Sequence, residues 1–204
     1  EENDTYGIAT IGRRHVTIRD DQVVFDYRAK GGQRQVQKII DPEVLAVVQA
    51  LKRRRGGGEE LLAYKRGRRW VDVKSEDINE YVRDGTKGEF SAKDFRTWNA
   101  TVLAALALAV SGPVARGSRA ARGRAERRAV EEVANLLGNT PAVCRASYID
   151  PRVFDRFEGG ETIGGALPAI LDGEAGWPVL DGPVEKAVLD LIEREESDAI
   201  ERVA

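Results

Sequence analysis

The stretch QRQVQKIIDPEVLAVVQALKRRR, residues 33–55, decides the fold class, because its periodicity changes once, at Asp41-Pro42. Up to Ile40 the side chains alternate with the period of a strand, which places Val36 inside. Beyond Pro42, Val44, Leu45, Val47, Val48 and Leu51 recur at helical spacing. Asp41 is a good helix N-cap and Pro42 a good first helical residue, since its missing N–H would have no partner there anyway. The helix is predicted to end in the basic run Lys52–Arg55, where Gly56-Gly57-Gly58 breaks it. One segment thus contains the end of a β region and the start of an α region.

Towards the N-terminus the β pattern continues. Val16–Ile18 alternates, Asp20-Asp21 can turn the chain, Val23–Tyr27 is rich in strand formers, and Lys30-Gly31-Gly32 is a second turn signal. Three antiparallel strands are predicted, with Lys30 at or beside a hairpin tip. Towards the C-terminus the pattern is helical. Leu61, Leu62 and Tyr64 form a short buried piece. Ser75 opens a helix with Ile78, Tyr81 and Val82 on one face, ended by Gly85. Ser91 and Asp94 have capping-box spacing, and Phe90 with Phe95 fits a hydrophobic staple. That helix runs to about Val110, where Ser111-Gly112-Pro113 stops it. Residues 111–123 read as a mobile segment. Helices follow over 124–137, from Thr140-Pro141, and from Asp150-Pro151 to Gly159-Gly160. Residues 160–182 read as a loop, and Pro183 opens a last amphipathic helix. The expected fold is α+β: a small N-terminal antiparallel sheet beside a larger, mainly helical region.

Composition narrows the chemistry. The 204 residues are 42% hydrophobic and 32% charged, enough for a core under a charged surface. The apolar run Thr101–Val110 is too short to span a membrane, so no membrane partner is expected. No secretion signal opens the chain. One cysteine, Cys144, and one histidine, His15, make a zinc site improbable, and no metal or cofactor is expected. The chain has no methionine, so Glu1 is read as the result of processing or of excision from something longer. Net charge is −2, but the basic residues cluster: Lys52–Arg55, Lys65 to Arg69, and Arg116 to Arg128, opposed in the last run only by Glu126. Charge alone leaves a phosphate-binding face and an ordinary solvated face equally open.

No P-loop and no dinucleotide fingerprint occurs, and a Ser-His-Asp system would rest on His15 alone. The residue types that remain are Lys, Arg, Asn and Tyr. They suffice for phosphoryl transfer to a tyrosine. The phenolic oxygen attacks a phosphodiester, arginine neutralises the non-bridging oxygens, an amide donates a further hydrogen bond, and a lysine protonates the leaving oxygen.

Lys93-Asp94-Phe95-Arg96-Thr97-Trp98, then Leu137-Gly138-Asn139-Thr140-Pro141, then Ser147-Tyr148 resembles the catalytic domain of type IB DNA topoisomerases, closest to their poxvirus-like and bacterial branch. Asn3–Gly7, Arg14-His15-Val16 and Phe25–Gly31 extend the resemblance over most of residues 3–158. The order and the nine-residue step from Asn139 to Tyr148 carry the specificity. The resemblance implies a fold shared with tyrosine recombinases, divided into a sheet part over 1–40, a helical catalytic region over 41–158, and a linker with a C-terminal helix over 159–204. It implies Tyr148 as nucleophile, Arg96 and Asn139 as donors to the scissile phosphate, and Lys30 as general acid. It implies DNA contacts from Lys93, Arg145, Arg119 and Arg122. The implied partner is double-stranded DNA, bound by a cytoplasmic, nucleoid-associated monomer whose clamp an N-terminal domain completes, with a bacterial source expected.

Two departures accompany it. The family's further arginine would fall upstream of Asn3, and Arg13 and Arg14, read as part of the following strand, are poor substitutes. Ala29 stands where a glycine usually precedes the lysine, which can stiffen the hairpin. A tyrosine recombinase is an alternative, but its H-x-x-R pattern would need histidine at Lys93. A non-enzymatic DNA-binding remnant is another. Trp98, Phe95 and Cys144 read as core residues.

Overall fold

The structure, a computed structural model, describes residues 5–29, 32–115, 118–168 and 182–203. It divides into two compact units, Glu1–Ala92 and Lys93–Ala204. The architecture is α+β: antiparallel strands dominate the first half and helices the second.

The first unit begins with a 3-10 turn, Arg13–His15, so Arg13 and Arg14 precede the strand rather than belonging to it. A three-stranded antiparallel sheet follows: β1 (Val16–Arg19), β2 (Gln22–Arg28) and β3 (Arg34–Ile39), in that spatial order. Asp20 and Asp21 make the β1–β2 turn with φ of 47° and 60°, the left-handed pair that a tight hairpin demands. Val16, Val23 and Leu61 are buried with Ile11 and Val48. Val36 is not among them. It is 51% exposed and pairs with Asp26, so its face of the sheet is the solvent face. The alternation in β3 was therefore read one residue out of phase.

Helix α1 (Pro42–Arg53) starts as its sequence predicts, with the Asp41 carboxylate accepting from the backbone N–H of Glu43 and Val44 at 2.8 and 3.0 Å. Val48, Val44, Leu45 and Leu51 face the sheet, whereas Val47 is 57% exposed. Two cations of the basic run at the end of α1, Lys52 and Arg54, turn inward, while Arg53 and Arg55 are exposed. Arg54 is buried, and its guanidinium donates to the carbonyls of Leu61 (2.6 Å), Gly58 (3.3 Å) and Glu60, with Asp72 at 3.4 Å. Lys52 donates to the carbonyls of Arg13 (2.7 Å) and Val16. Burial pushes both groups below their usual pKa. These two cations satisfy carbonyls of the loop after α1 and of the turn that leads into β1, so they are unavailable to phosphate.

The second basic run forms a hairpin absent from the sequence reading: β4 (Ala63–Arg66) and β5 (Arg69–Asp72), turning at Gly67 with φ 63°. Arg66 lies over the Tyr64 ring at 5.6 Å and Lys65 over Trp70 at 5.4 Å. Helix α2 (Ser75–Thr86) closes the unit. The Asp77 carboxylate accepts from the Lys74 N–H at 2.7 Å, and Tyr81 is exposed.

The second unit is built on α3 (Ala92–Ala115), which passes straight through the predicted stop at Gly112-Pro113. The proline lies in the last turn, where little helix remains to break. Gly112 is a packing residue: a Cβ there would lie 3.2 Å from Val203. By length and composition α3 could cross a membrane. Its middle is a protein core instead, since Ala100, Val102, Ala104, Ala105, Leu108 and Ala109 are at most 1% exposed. Phe90 and Phe95, expected as a staple and a core residue, are both about half exposed, at 53% and 52%.

Helix α4 (Arg119–Leu137) takes in residues 119–123 of the segment expected to be mobile, with Ser118 as N-cap, and α3 takes in 111–115. Then come α5 (Pro141–Ser147), capped by Thr140, α6 (Arg152–Glu158), and α7 (Gly182–Glu193). Two short strands, β6 (Glu161–Thr162) and β7 (Glu201–Arg202), pair antiparallel. Ile163, Val184, Ala187, Val188 and Leu191 join the core of α3 and α4.

Candidate active site

Three of the residues singled out in the sequence meet at one end of the second unit. Helix α4 ends in a Schellman turn. Gly138 adopts φ 66°, and the Asn139 N–H donates to the Ala134 carbonyl at 2.8 Å. The Leu137 carbonyl is left without a helical donor. Arg96, one turn into α3, donates to it through Nη2. Asn139 Nδ2 approaches the same oxygen at 3.5 Å. The two phosphate-binding candidates therefore aim at one point, which a backbone oxygen occupies.

Tyr148 closes the third side. Thr140-Pro141 starts α5 and Tyr148 ends it, its N–H donating to the Cys144 carbonyl at 3.0 Å. The Arg96 guanidinium carbon lies 5.2 Å from the Tyr148 ring centroid, so cation and ring face each other. Arg96 Nε is buried and has no hydrogen-bond partner among the described residues. A buried N–H of this kind is costly unless something accepts from it. Cys144 is fully buried, as expected. Burial pushes its thiol above the ordinary range, with Arg96 pulling the other way, so it stays protonated.

Thr101 was not anticipated. It is 2% exposed; its Oγ1 donates to the Thr97 carbonyl (2.9 Å) and accepts from the Asp150 N–H (3.0 Å). It thereby ties the corner after Tyr148 to the helix that carries Arg96. A threonine within an apolar helical run was the available signal. Trp98 is half-buried against the core, and its Nε1 donates to Glu185 of α7 at 2.6 Å.

The DNA-contact candidates are less uniform. Lys93 is exposed in the first turn of α3. Arg119 is exposed and Arg122 half-exposed at the start of α4. Arg145 is already engaged, paired with the buried Glu126 at 3.3 Å and lying 4.0 Å over the Phe154 ring. Burial raises the Glu126 pKa, and Arg145 partly opposes that rise. Lys30 lies outside the described residues.

A family model described as the catalytic core of eukaryotic DNA topoisomerase I matches residues 1–158. The chain belongs to the type IB DNA topoisomerase family. A similar protein is DNA topoisomerase 1B of Acanthamoeba polyphaga mimivirus, 26% identical over 106 residues, which cover 50% of this chain and 31% of that one. The chain thus aligns with about a third of that relative's length. One match is described as eukaryotic and the other is viral, so a bacterial source gains no support. The matched range includes Arg96, Asn139 and Tyr148.

Proposed function

We propose that this chain carries the strand-cleaving chemistry of a DNA topoisomerase that relaxes supercoils by nicking and resealing duplex DNA. The observation that supports it is the convergence of Arg96 and Asn139 on the Leu137 carbonyl, 5.2 Å of cation-to-ring distance from Tyr148. In the proposed reaction a non-bridging phosphate oxygen takes over the donors now on Leu137. The orphaned Arg96 Nε gains its acceptor at the same moment. Tyr148 Oη attacks phosphorus and its proton passes to solvent water. The bond to the 5′-oxygen breaks, Lys30 protonates that oxygen, and a 3′-phosphotyrosyl ester remains. The ester keeps the energy of the phosphodiester, so the 5′-hydroxyl reverses the step without a nucleotide. Lys93, Arg119 and Arg122 hold flanking phosphates, and Arg145 joins them once released from Glu126. An N-terminal domain completes the clamp around DNA.

The test is a suicide-cleavage assay on nicked duplex oligonucleotides, with Tyr148→Phe in parallel. A covalent protein–DNA band lost in the variant is expected. Salt-sensitive binding without a band would refute the chemistry and leave a DNA-binding module.

A further inference from the structure

The first unit contains a cleft lined by arginines and a histidine that the cleavage chemistry does not use. An open cleft of about 600 Å³ is lined by Tyr6, Arg14, His15, Asp26, Arg28 and Arg34, among others. His15 anchors it. The Gly12 N–H donates to His15 Nδ1 at 3.0 Å, and the ring is tilted against Tyr6 at a centroid distance of 4.2 Å. With Nδ1 accepting, a neutral imidazole must carry its proton on Nε2. Arg14 Nε, itself a donor, stands 3.2 Å from that nitrogen. The other tautomer only moves the conflict to Gly12, whose backbone cannot swing aside. Two donors therefore face each other, and a shared acceptor would satisfy both.

The neighbours determine what that acceptor can be. Arg34 is bidentate on Asp26 at 2.8 and 2.6 Å, which neutralises the one carboxylate in the cleft lining. Arg14 donates to the Tyr6 hydroxyl at 2.7 Å and pairs with the exposed Glu59 at 3.2 Å on its far side. Arg28 is exposed and is the register partner of Arg34 across β2 and β3. Tyr27 is also in the lining. Among the described residues, positive charge remains in excess after Asp26 and Glu59 are counted. His15 is held below its usual pKa, by burial first and by Arg14 second, with Asp26 opposing, so it serves as a neutral donor.

We propose that this cleft is a second phosphate site, taking one phosphodiester of the DNA backbone between His15 Nε2–H, Arg14 and Arg28. The proposal rests on the DNA-cleaving reading above, but it concerns residues outside the cleavage site. It explains why one turn presents Arg14 and His15 side by side with no acceptor between them.

His15 is the only histidine, so its ring protons give a single NMR signal to follow. The Tyr148→Phe chain is titrated with pH alone, with a 20-base-pair duplex, and with inorganic phosphate, and duplex binding is measured against potassium chloride for it and for its Arg28→Gln and Arg14→Gln versions. Bound phosphodiester is expected to raise the His15 pKa by about one unit or more. Each arginine variant is expected to reduce the slope of log K against log salt by up to about 0.9, the value of one phosphate contact. A His15 response to inorganic phosphate alone, with unchanged slopes, means an adventitious ion only and overturns the proposal. No response to either ligand overturns it as well. A covalent adduct formed by the Tyr148-intact chain while His15 stays silent overturns this site and leaves the cleavage reading standing. A responsive His15 without an adduct does the reverse.

Discussion

Replacing Thr101 by valine tests whether the corner after Tyr148 is held by one hydroxyl. The hydroxyl has a single proton, and the nearer acceptor takes it: the Thr97 carbonyl at 2.9 Å rather than the Tyr148 carbonyl at 3.5 Å. A lone pair then accepts from the Asp150 N–H at 3.0 Å. Valine has nearly the same shape, so no cavity opens, and the Thr97 carbonyl keeps its helical partner. The cost is the orphaned Asp150 N–H at a half-buried position, about 1 kcal/mol of stability. The functional loss follows from the geometry. Arg96 and Thr101 share α3, and Tyr148 lies two residues before Asp150, so a loosened corner shifts the phenol relative to the guanidinium. A displacement of about 1 Å costs up to about 100-fold in rate. Thr101→Ser keeps the hydroxyl but deletes a buried methyl, which costs about 1 kcal/mol. Urea unfolding should therefore show both variants destabilised. Single-turnover cleavage should separate them, with serine near the parent rate and valine well below it. A valine variant that cleaves as fast as the parent, or a serine variant slower than valine, would refute the positioning argument.

Arg54→Met, assayed by urea unfolding, should cost about 3–5 kcal/mol, because it leaves Asp72 and several loop carbonyls without their buried donor. Glu126→Gln probes a buried carboxyl whose folded pKa is raised. The folded state binds more protons than the unfolded one between the ordinary value and the raised one, so stability falls as pH climbs through that window. The glutamine variant should flatten this part of the stability–pH profile, and a slope identical to the parent's would show the attribution to be wrong. Arg96→Lys, measured by cleavage rate at saturating DNA, should lose about 100- to 1000-fold, as removal of one preorganised donor does. Gly165→Ala would place a Cβ 2.2 Å from the Asp198 carbonyl oxygen, a backbone atom that cannot yield easily, and should destabilise the second unit by about 1–3 kcal/mol in calorimetry.

What was legible in the sequence was local. Asp41-Pro42, Gly138 and Thr140-Pro141 mark helix boundaries through bonds made within four or five residues, and each boundary falls where those bonds require. Arg96, Asn139 and Tyr148 stand out in the sequence through a family's spacing; the structure brings Arg96 and Asn139 to one oxygen and sets the Tyr148 ring against the Arg96 guanidinium. The Leu137 carbonyl that organises them is backbone, and no side-chain pattern announces it. Arg54 failed for a related reason: in sequence it is one cation in a run of four, and only tertiary burial separates it from its neighbours. The Lys65–Arg69 stretch was read as charge when its Arg-Gly-Arg core was a turn. Gly112-Pro113 was read as a stop, because the neighbour that needs a glycine there, Val203, lies ninety residues further along.

That contact has a practical corollary for anyone dividing the gene. The family correspondence ends at residue 158, and an alignment invites a cut there. Such a cut would strip Ile163, Val184, Ala187, Val188 and Leu191 from a shared interior and leave Gly112 and the apolar flank of α3 facing water. The product would keep every residue assigned to the chemistry, yet it would present a sticky, unsealed surface of the kind that drives self-association. Ancestry and foldability draw their borders in different places along this polypeptide, and a soluble product has to respect the second.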